Sequence, residues 1–274
     1  MTYVVFSDID GTLIDFQTYA VDEVATAVAQ LIAAHIPLIL CSSKTRAEQQ
    51  YYRDLLHIAD PFIVENGSAI FVPQGYFPWA AGGRLLDGYE VLELGIDVTH
   101  IRAALAAVRA ATGITFQTYA DLSVAEVSQI TGLDRVAAAR AQQREYSATI
   151  VTPLTPPMLQ TLRAALAAYG LMLVSGGKFH TVTSAQSDKG TAVTHLTQLF
   201  QRHFGDVTTI GLGDSANDAP LLAAVDRPYL VQKPGGVWQD MGDLAVNRVT
   251  AVGPAGWRQV VMALAPPASN LRHH

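Results

Sequence analysis

The sequence predicts an α/β fold with a parallel sheet core, helices on both faces of that sheet, and an inserted α+β unit. Three observations carry this reading. Short β-rich apolar runs alternate with helix-period segments through the first third of the chain, the pattern of parallel β/α units. The same alternation resumes after Lys189. Between the two, behind a turn-rich stretch containing Pro73-Gln74-Gly75, Pro78 and Ala81-Gly82-Gly83, the composition shifts to Ala-rich helical segments and short strands. A chain of 274 residues suits one core domain and a smaller second one. The expected division is a discontinuous core of residues 1–83 and 186–274 around an insert of residues 84–185.

Each element has its own signal. Residues 3–7 are an apolar β-rich run, broken at once by Asp8-Ile9-Asp10-Gly11-Thr12, and an amphipathic helix follows over about 22–34. His35-Ile36-Pro37 ends that helix, residues 38–41 form a second buried strand, and Ser42-Ser43-Lys44-Thr45 opens a helix running to about Leu56. Residues 62–64 make a third strand, and Glu65-Asn66-Gly67 turns a hairpin into Ile70, Phe71 and Val72. In the insert, helices are expected over 101–111, 134–144 and 157–169, with strands near 149–151 and 171–174. A helix over 189–202, a strand over 207–212, the loop Gly213 to Asp218 and another helix restore the core pattern. No fixed-period repeat is present, which excludes solenoids.

Composition narrows the function. Half the residues are hydrophobic and 15% are charged, enough for a sizeable core and unlike a disordered chain. The net charge of −6 comes without any Lys/Arg run, so neither a nucleic-acid stripe nor a basic membrane-binding face is expected. No apolar stretch approaches the ~18 residues of a membrane span, and the N-terminus lacks the plan of a signal peptide, so a cytoplasmic location is expected. The lone Cys41, inside an apolar run, fits a reducing compartment. His180 and His195 read as packing or surface residues, because no His/Cys cluster has metal-site spacing. Trp238 and Trp257 read as packing.

A parallel sheet gathers its ligand at the carboxyl ends of its strands. The first strand delivers Asp8 and Asp10 there, the second Ser42 and Ser43, the third Glu65 and Asn66, and the strand ending at Leu212 delivers Asp214, Asn217 and Asp218. Lys189 opens the helix after the insert. Carboxylates beside a hydroxyl and a lysine suit phosphoryl transfer through a covalent aspartyl-phosphate, with Asp8 as nucleophile. Asp10, two residues on, is the expected acid for the leaving alkoxide and base for water. Nucleophile and phosphate dianion repel each other, so Mg²⁺ is expected on Asp8, Asp214 and the backbone carbonyl of Asp10. Ser42 and Lys189 are assigned to the remaining phosphoryl oxygens.

Alternatives stand beside several of these. Ser42 and Ser43 either bind substrate or cap the following helix. Asn66 either contacts substrate or only serves the turn. Asp218 either caps a helix or orients Lys189. Lys189 opposes the dipole of the helix it begins, which favours a functional role.

Asp8-Ile9-Asp10-Gly11-Thr12-Leu13, the strand-end Ser42, Lys189 and Gly213-Asp214-x-x-Asn217-Asp218 resemble the four motifs of the haloacid dehalogenase-like phosphatases, in the family order. The resemblance implies a Rossmann-like core, magnesium dependence and a C2-type cap domain in the place of the insert. Ser42-Ser43-Lys44-Thr45, Glu65-Asn66-Gly67, Arg144-Glu145-Tyr146-Ser147, Gly176-Gly177-Lys178-Phe179-His180, Asp188-Lys189-Gly190 and Gly253-Pro254-x-Gly256-Trp257 are similar to the mannosyl-3-phosphoglycerate phosphatases. Departures are Ala148-Thr149-Ile150, where that family tends to have Glu-Pro-Phe, and Lys178, where it often has Arg. The implied substrate is a small phosphorylated sugar-acid. Lys44, Arg144 and Lys178 are then candidates for its carboxylate or sugar, and Ser43, Asn66 and Asn217 for further contacts. Glucosyl specificity, other sugar phosphates and a sugar phosphomutase share this machinery. A phosphoaspartate signalling receiver does not fit the motif order or the size of the insert.

Overall fold

Runs of β-branched and aromatic residues, too apolar to face water on either side, are what a central parallel sheet requires. In the computed structural model, which describes residues 2–176 and 179–264, these runs form a nine-stranded sheet. Its parallel part comprises β1 (Thr2–Ser7), β2 (Leu38–Cys41), β3 (Phe62–Val64), and the three late strands Val207–Gly213, Arg227–Gln232 and Asn247–Val252. Val4 and Phe6 of β1 face one layer and Val5 the other, as strand alternation demands. All three are fully buried.

The chain runs from β1 through α1 (Asp22–Ala33), β2, α2 (Arg46–Leu55) and β3 to β4 (Ala69–Pro73), which pairs antiparallel with β3. Next come β5 (Arg84–Leu86) and β6 (Tyr89–Glu93). Both belong to the large sheet: β6 pairs with β4 from Ala69↔Glu93 to Pro73↔Tyr89, and β5 lies outside it. The sheet therefore runs through the 83/84 boundary expected from composition. The exposed edge of β4 offers backbone groups that must find partners, and the nearest chain supplies them.

Residues 94–184 hold α3 (Val98–Thr112), α4 (Val124–Thr131), α5 (Arg135–Ala141), β7 (Ala148–Ile150), α6 (Pro156–Ala167), β8 (Leu171–Gly176) and β9 (Phe179–Ser184). Their strands form a separate antiparallel sheet in the order β7-β9-β8. Ile101, Leu105, Leu162 and Leu166 pack on it in a cluster of their own, and Val127 and Ala138 join α4 to α5 in another. The chain returns through α7 (Lys189–Phe204), β10 (Val207–Gly213), α8 (Ala219–Ala223), β11 (Arg227–Gln232), β12 (Asn247–Val252) and α9 (Gly253–Leu264). Val28, Leu31, Trp257 and Val261 of α1 and α9 cover one face of the large sheet, and Val193, Leu196, Phe200 and Leu221 of α7 and α8 the other.

The strand order β12-β11-β10-β1-β2-β3-β4-β6-β5 puts β1 between β10 and β2. The chain leaves β1 in one direction and comes back on its other side. This switch point leaves a crevice at the strand ends, where ligands bind in open α/β sheets. The loops after β1, β10 and β2 all meet there. Among the described residues no helix is long and apolar enough to cross a membrane.

Candidate active site

Three devices hold the β1 loop at this crevice. The Asp8 amide donates to the Leu212 carbonyl (2.9 Å), continuing the β1–β10 ladder past the strand end. Trp257 Nε1 donates to the Ser7 hydroxyl (2.9 Å), which donates to the Asp8 carbonyl (2.6 Å). Gly11 takes φ +77°, and a Cβ there would lie 3.0 Å from Asp214 Oδ2. A side chain is thus excluded twice, by backbone conformation and by the nearby carboxylate.

Lys189 is brought in from the far side. Asp188 caps α7 by accepting from the Thr191 amide (2.7 Å), which puts Lys189 at the first helical position. Gly67, at φ +92°, packs so closely that a Cβ would fall 2.0 Å from the Asp188 carbonyl oxygen. Only 1% exposed, Lys189 Nζ donates to Asp8 Oδ1 and to Asp218 Oδ1, both at 2.6 Å. The other Asp218 oxygen accepts from the amides of Asp214 and Ser215, each at 3.0 Å. Asp218 thus ties Lys189 to the β10 loop with both of its oxygens committed.

Carboxylate oxygens of Asp8, Asp214 and Asp218 lie within 4.8 Å of one another. The three are buried around one ammonium, leaving negative charge in surplus. Burial, then the charge of Asp218, pushes the Asp8 carboxyl well above its ordinary range, although Lys189 pulls the other way. The same two causes push Asp214 up to about 7. For Lys189 burial acts to lower the pKa, and the charges of Asp218 and Asp8 outweigh it and raise it. An all-oxygen, over-negative site of this kind fits a hard divalent cation. The committed oxygens of Asp218 leave Asp8 and Asp214 as the carboxylates with capacity for one. Thr12 supports Asp214 by donating to its Oδ1 (3.4 Å).

The family model for haloacid dehalogenase-like hydrolases matches residues 5–77. Over 99% of this chain and 100% of the relative, the sequence is 39% identical to the glucosyl-3-phosphoglycerate/mannosyl-3-phosphoglycerate phosphatase of Methanococcoides burtonii. It is 37% identical to the mannosyl-3-phosphoglycerate phosphatase of Pyrococcus horikoshii, over 84% of this chain and 91% of that one. The chain belongs to the haloacid dehalogenase-like hydrolases. A solved haloacid dehalogenase-like hydrolase from Bacteroides thetaiotaomicron covers 96% of this chain and 100% of its own with a TM-score of 0.67; at 12% identity it speaks for the fold alone.

Within this haloacid dehalogenase-like hydrolase, the residues singled out from sequence fall into two neighbouring groups. Asp8, Lys189, Asp214 and Asp218 share the hydrogen-bonded cluster just described. Asp10 instead pairs with Lys44, Nζ to Oδ1 at 2.9 Å, and Lys44 also faces Glu48 at 3.7 Å. Burial would lower the Lys44 pKa, but the charges of Asp10 and Glu48 raise it. Ser42 is buried, its hydroxyl accepting from the Lys44 amide (3.4 Å) and its carbonyl from the Asn66 amide (3.0 Å).

The capping alternative for Ser42 and Ser43 does not hold. Thr45 accepts from the Glu48 amide (3.2 Å) while Glu48 accepts from the Thr45 amide (2.9 Å), so this reciprocal box starts α2. Asn217 accepts from the Ser215 hydroxyl (2.5 Å). Arg144, in the segment after α5, donates to the Ser43 carbonyl (2.8 Å) and the Ser147 hydroxyl (3.2 Å). Lys178 lies outside the described residues.

The sequence places Glu65 at the end of the third strand but gives it no role there. Fully buried and left-handed at φ +48°, it accepts from the amides of Glu145 (2.8 Å) and Tyr146 (3.2 Å) and from the Ser147 hydroxyl. It joins the β3–β4 turn to the 94–184 segment. The Asn-Gly turn signal masked it, because a turn explains those residues without any partner. Trp257 likewise does more than pack, through its bond to Ser7.

Proposed function

We propose that this chain is a magnesium-dependent phosphatase that hydrolyses mannosyl-3-phosphoglycerate or glucosyl-3-phosphoglycerate through an aspartyl-phosphate on Asp8. The observation that carries the reading is the full-length 39% identity to a relative named for both substrates, in a chain whose Asp8, Lys189, Asp214 and Asp218 form one buried cluster.

In this reading residues 94–184 are a cap over a core of 2–93 and 185–264. Lys189 aims Asp8 and opposes the burial that raises its carboxyl, so that a carboxylate oxygen attacks phosphorus as the bond to the leaving oxygen breaks. Asp10 gives its proton to that oxygen, and then, as a carboxylate, takes one from the water that cleaves the acyl phosphate. Its pairing with Lys44 fits the second of these states. Ser42 and Lys189 donate to the phosphoryl oxygens, where transition-state charge accumulates. Asp8 and Asp214, with the Asp10 backbone carbonyl, are the groups that would hold Mg²⁺, whose charge, when bound, offsets the repulsion between carboxylate and phosphate dianion. Ser43, Lys44, Asn66, Arg144, Lys178 and Asn217 are assigned to the substrate.

A panel of mannosyl-3-phosphoglycerate, glucosyl-3-phosphoglycerate and plain hexose phosphates, assayed for phosphate release with and without magnesium, tests this. Magnesium-dependent release from one or both glycosyl substrates, at least about tenfold faster in kcat/KM than from the hexose phosphates, is expected. Isomerisation of a sugar phosphate without phosphate release would replace the hydrolase reading by a mutase.

A further inference from the structure

Three successive carbonyls of the loop after β2 are each held from outside that loop. The Asn66 amide donates to the Ser42 carbonyl (3.0 Å), Arg144 Nη1 to the Ser43 carbonyl (2.8 Å) and the Glu65 amide to the Lys44 carbonyl (3.1 Å). In a trans peptide the carbonyl and the amide that follows it point opposite ways, so fixing these carbonyls also aims the amides of Ser43, Lys44 and Thr45 away from the three donors. Two of the donors come from a turn in a costly conformation. Glu65 (φ +48°) and Asn66 (φ +60°) are both left-handed, a region that a glutamate seldom enters. An Asn-Gly turn has its two left-handed positions already in Asn66 and Gly67 (φ +92°), so the strain at Glu65 serves something else. What it delivers is two successive amides onto the carbonyls of Lys44 and Ser42.

The Glu65 carboxylate connects the turn to the third donor. Fully buried, it accepts from the Glu145 and Tyr146 amides and from the Ser147 hydroxyl, and that hydroxyl accepts from Arg144 Nη1 (3.2 Å). One side chain thus fixes the backbone beside Arg144, while its own amide fixes the loop that Arg144 grips. The same turn touches the rest of the site. Lys44, whose carbonyl it holds, pairs with Asp10 at 2.9 Å, and Gly67 packs on the Asp188 carbonyl where α7 and Lys189 begin. We infer that Glu65 is a positioning residue for phosphoryl transfer: through Ser147 and Arg144 it makes the geometry of the Ser42–Lys44 loop depend on the seated 144–147 segment. The inference rests on the phosphatase reading above, which gives Ser42 its phosphoryl oxygen. A staple that only holds the segment would matter to a large substrate alone. A positioning residue acts on the phosphoryl group of every substrate, however small.

Glu65→Gln and Ser147→Ala test it in the full-length enzyme with magnesium. Gln keeps the shape of Glu65 and turns a donor toward donors, whereas Ala deletes only the hydroxyl that joins Glu65 to Arg144 and adds no group that could oppose folding. The readouts are kcat and KM for p-nitrophenyl phosphate and for the glycosyl-3-phosphoglycerate, and the inhibition constant of inorganic phosphate. In both variants kcat is expected to fall about tenfold or more for both substrates, and the phosphate constant to rise at least about fivefold. An unchanged kcat for p-nitrophenyl phosphate with an unchanged phosphate constant would overturn the inference, even if KM for the glycosyl substrate rose, and would leave Glu65 a staple. A loss confined to Glu65→Gln would overturn the route through Ser147. A wild-type enzyme that hydrolyses p-nitrophenyl phosphate but neither glycosyl substrate would defeat the substrate reading, while the small-substrate and phosphate readouts still decide this one. Release of phosphate from no monoester at all would defeat both, and it shows in the wild type before any variant is compared.

Discussion

Lys189 balances charge that nothing apolar could balance. It bonds Asp8 and Asp218 at 2.6 Å each, in a site where Asp214 adds a third carboxylate. Replacing it by Met would keep much of the volume and leave two buried carboxylates without their cation. Breaking a buried pair in this way is expected to cost about 3 kcal/mol, read from urea unfolding, and to lower phosphate release by at least ~10²-fold. This residue was legible in the sequence because a lysine at a helix start has no local reason to be there. Asp8, Asp10 and Asp214 were legible as polar residues at the ends of apolar strands. The partner of Asp10 was not: Lys44 reaches it from the next strand's loop, and strand adjacency follows from topology, which residue spacing does not state. Thr45 and Glu48 carried a capping signature at the right spacing, yet two serines just before them competed for the same role.

At the scale of elements, the β3–β4 turn is the piece that couples the two sheets. Its Glu65 accepts from three donors in residues 145–147, and Ser68 and Thr183 hydroxyls lie 3.0 Å apart a short way on. Glu65→Gln retains the shape but replaces one accepting oxygen by a donor that faces donors. A stability loss of about 1–2 kcal/mol is expected. Amide hydrogen exchange at Glu145 and Tyr146 is expected to quicken, and unchanged protection there would mean that other contacts hold the segment.

Three strands that escaped prediction, β5, β6 and β9, depend on pairing that residue patterns do not state. β5 and β6 interrupt Leu85, Leu86, Tyr89, Val91 and Leu92 with Arg84, Glu90 and Glu93, so neither short run reads as a buried strand. β6 forms because the β4 edge accepts it, and β5 because β6 accepts it in turn. β9 mixes His180 and Thr181 with Val182 and takes its place between the adjacent β8 and the more distant β7. Helices α1, α2 and α7 came through well, because amphipathic periodicity is a local property.

For the whole molecule, the site's surplus negative charge sets a dependence of stability on pH. In the metal-free protein Asp214 titrates near 7, against an ordinary carboxyl value of 3.8. Between these values the folded chain binds a proton that the unfolded chain does not. The contribution of this group to stability is thus greatest at low pH, falls as pH rises through that window, and is flat above it. Asp8, shifted in the same direction, adds to the trend. Magnesium binding would have to displace the Asp214 proton below about pH 7. Thermal unfolding with and without magnesium is expected to show a larger gain in Tm at about pH 8 than at about pH 5, and equal gains would contradict a magnesium site built on Asp214.

The two-part plan of the chain was also legible, since alternation of elements stops and resumes. Its first boundary was not, because the sheet continues beyond the turn-rich stretch that marked it.

The central claim is that Asp8 carries the phosphoryl group of a glycosyl-3-phosphoglycerate. Phosphate release from that substrate with magnesium, compared between the wild-type enzyme and Asp8→Asn, tests it most directly. Turnover by the wild type and a fall of at least about 10³-fold in the variant, with its thermal unfolding intact, is the expected result. Substantial turnover by Asp8→Asn would contradict the assignment of the nucleophile.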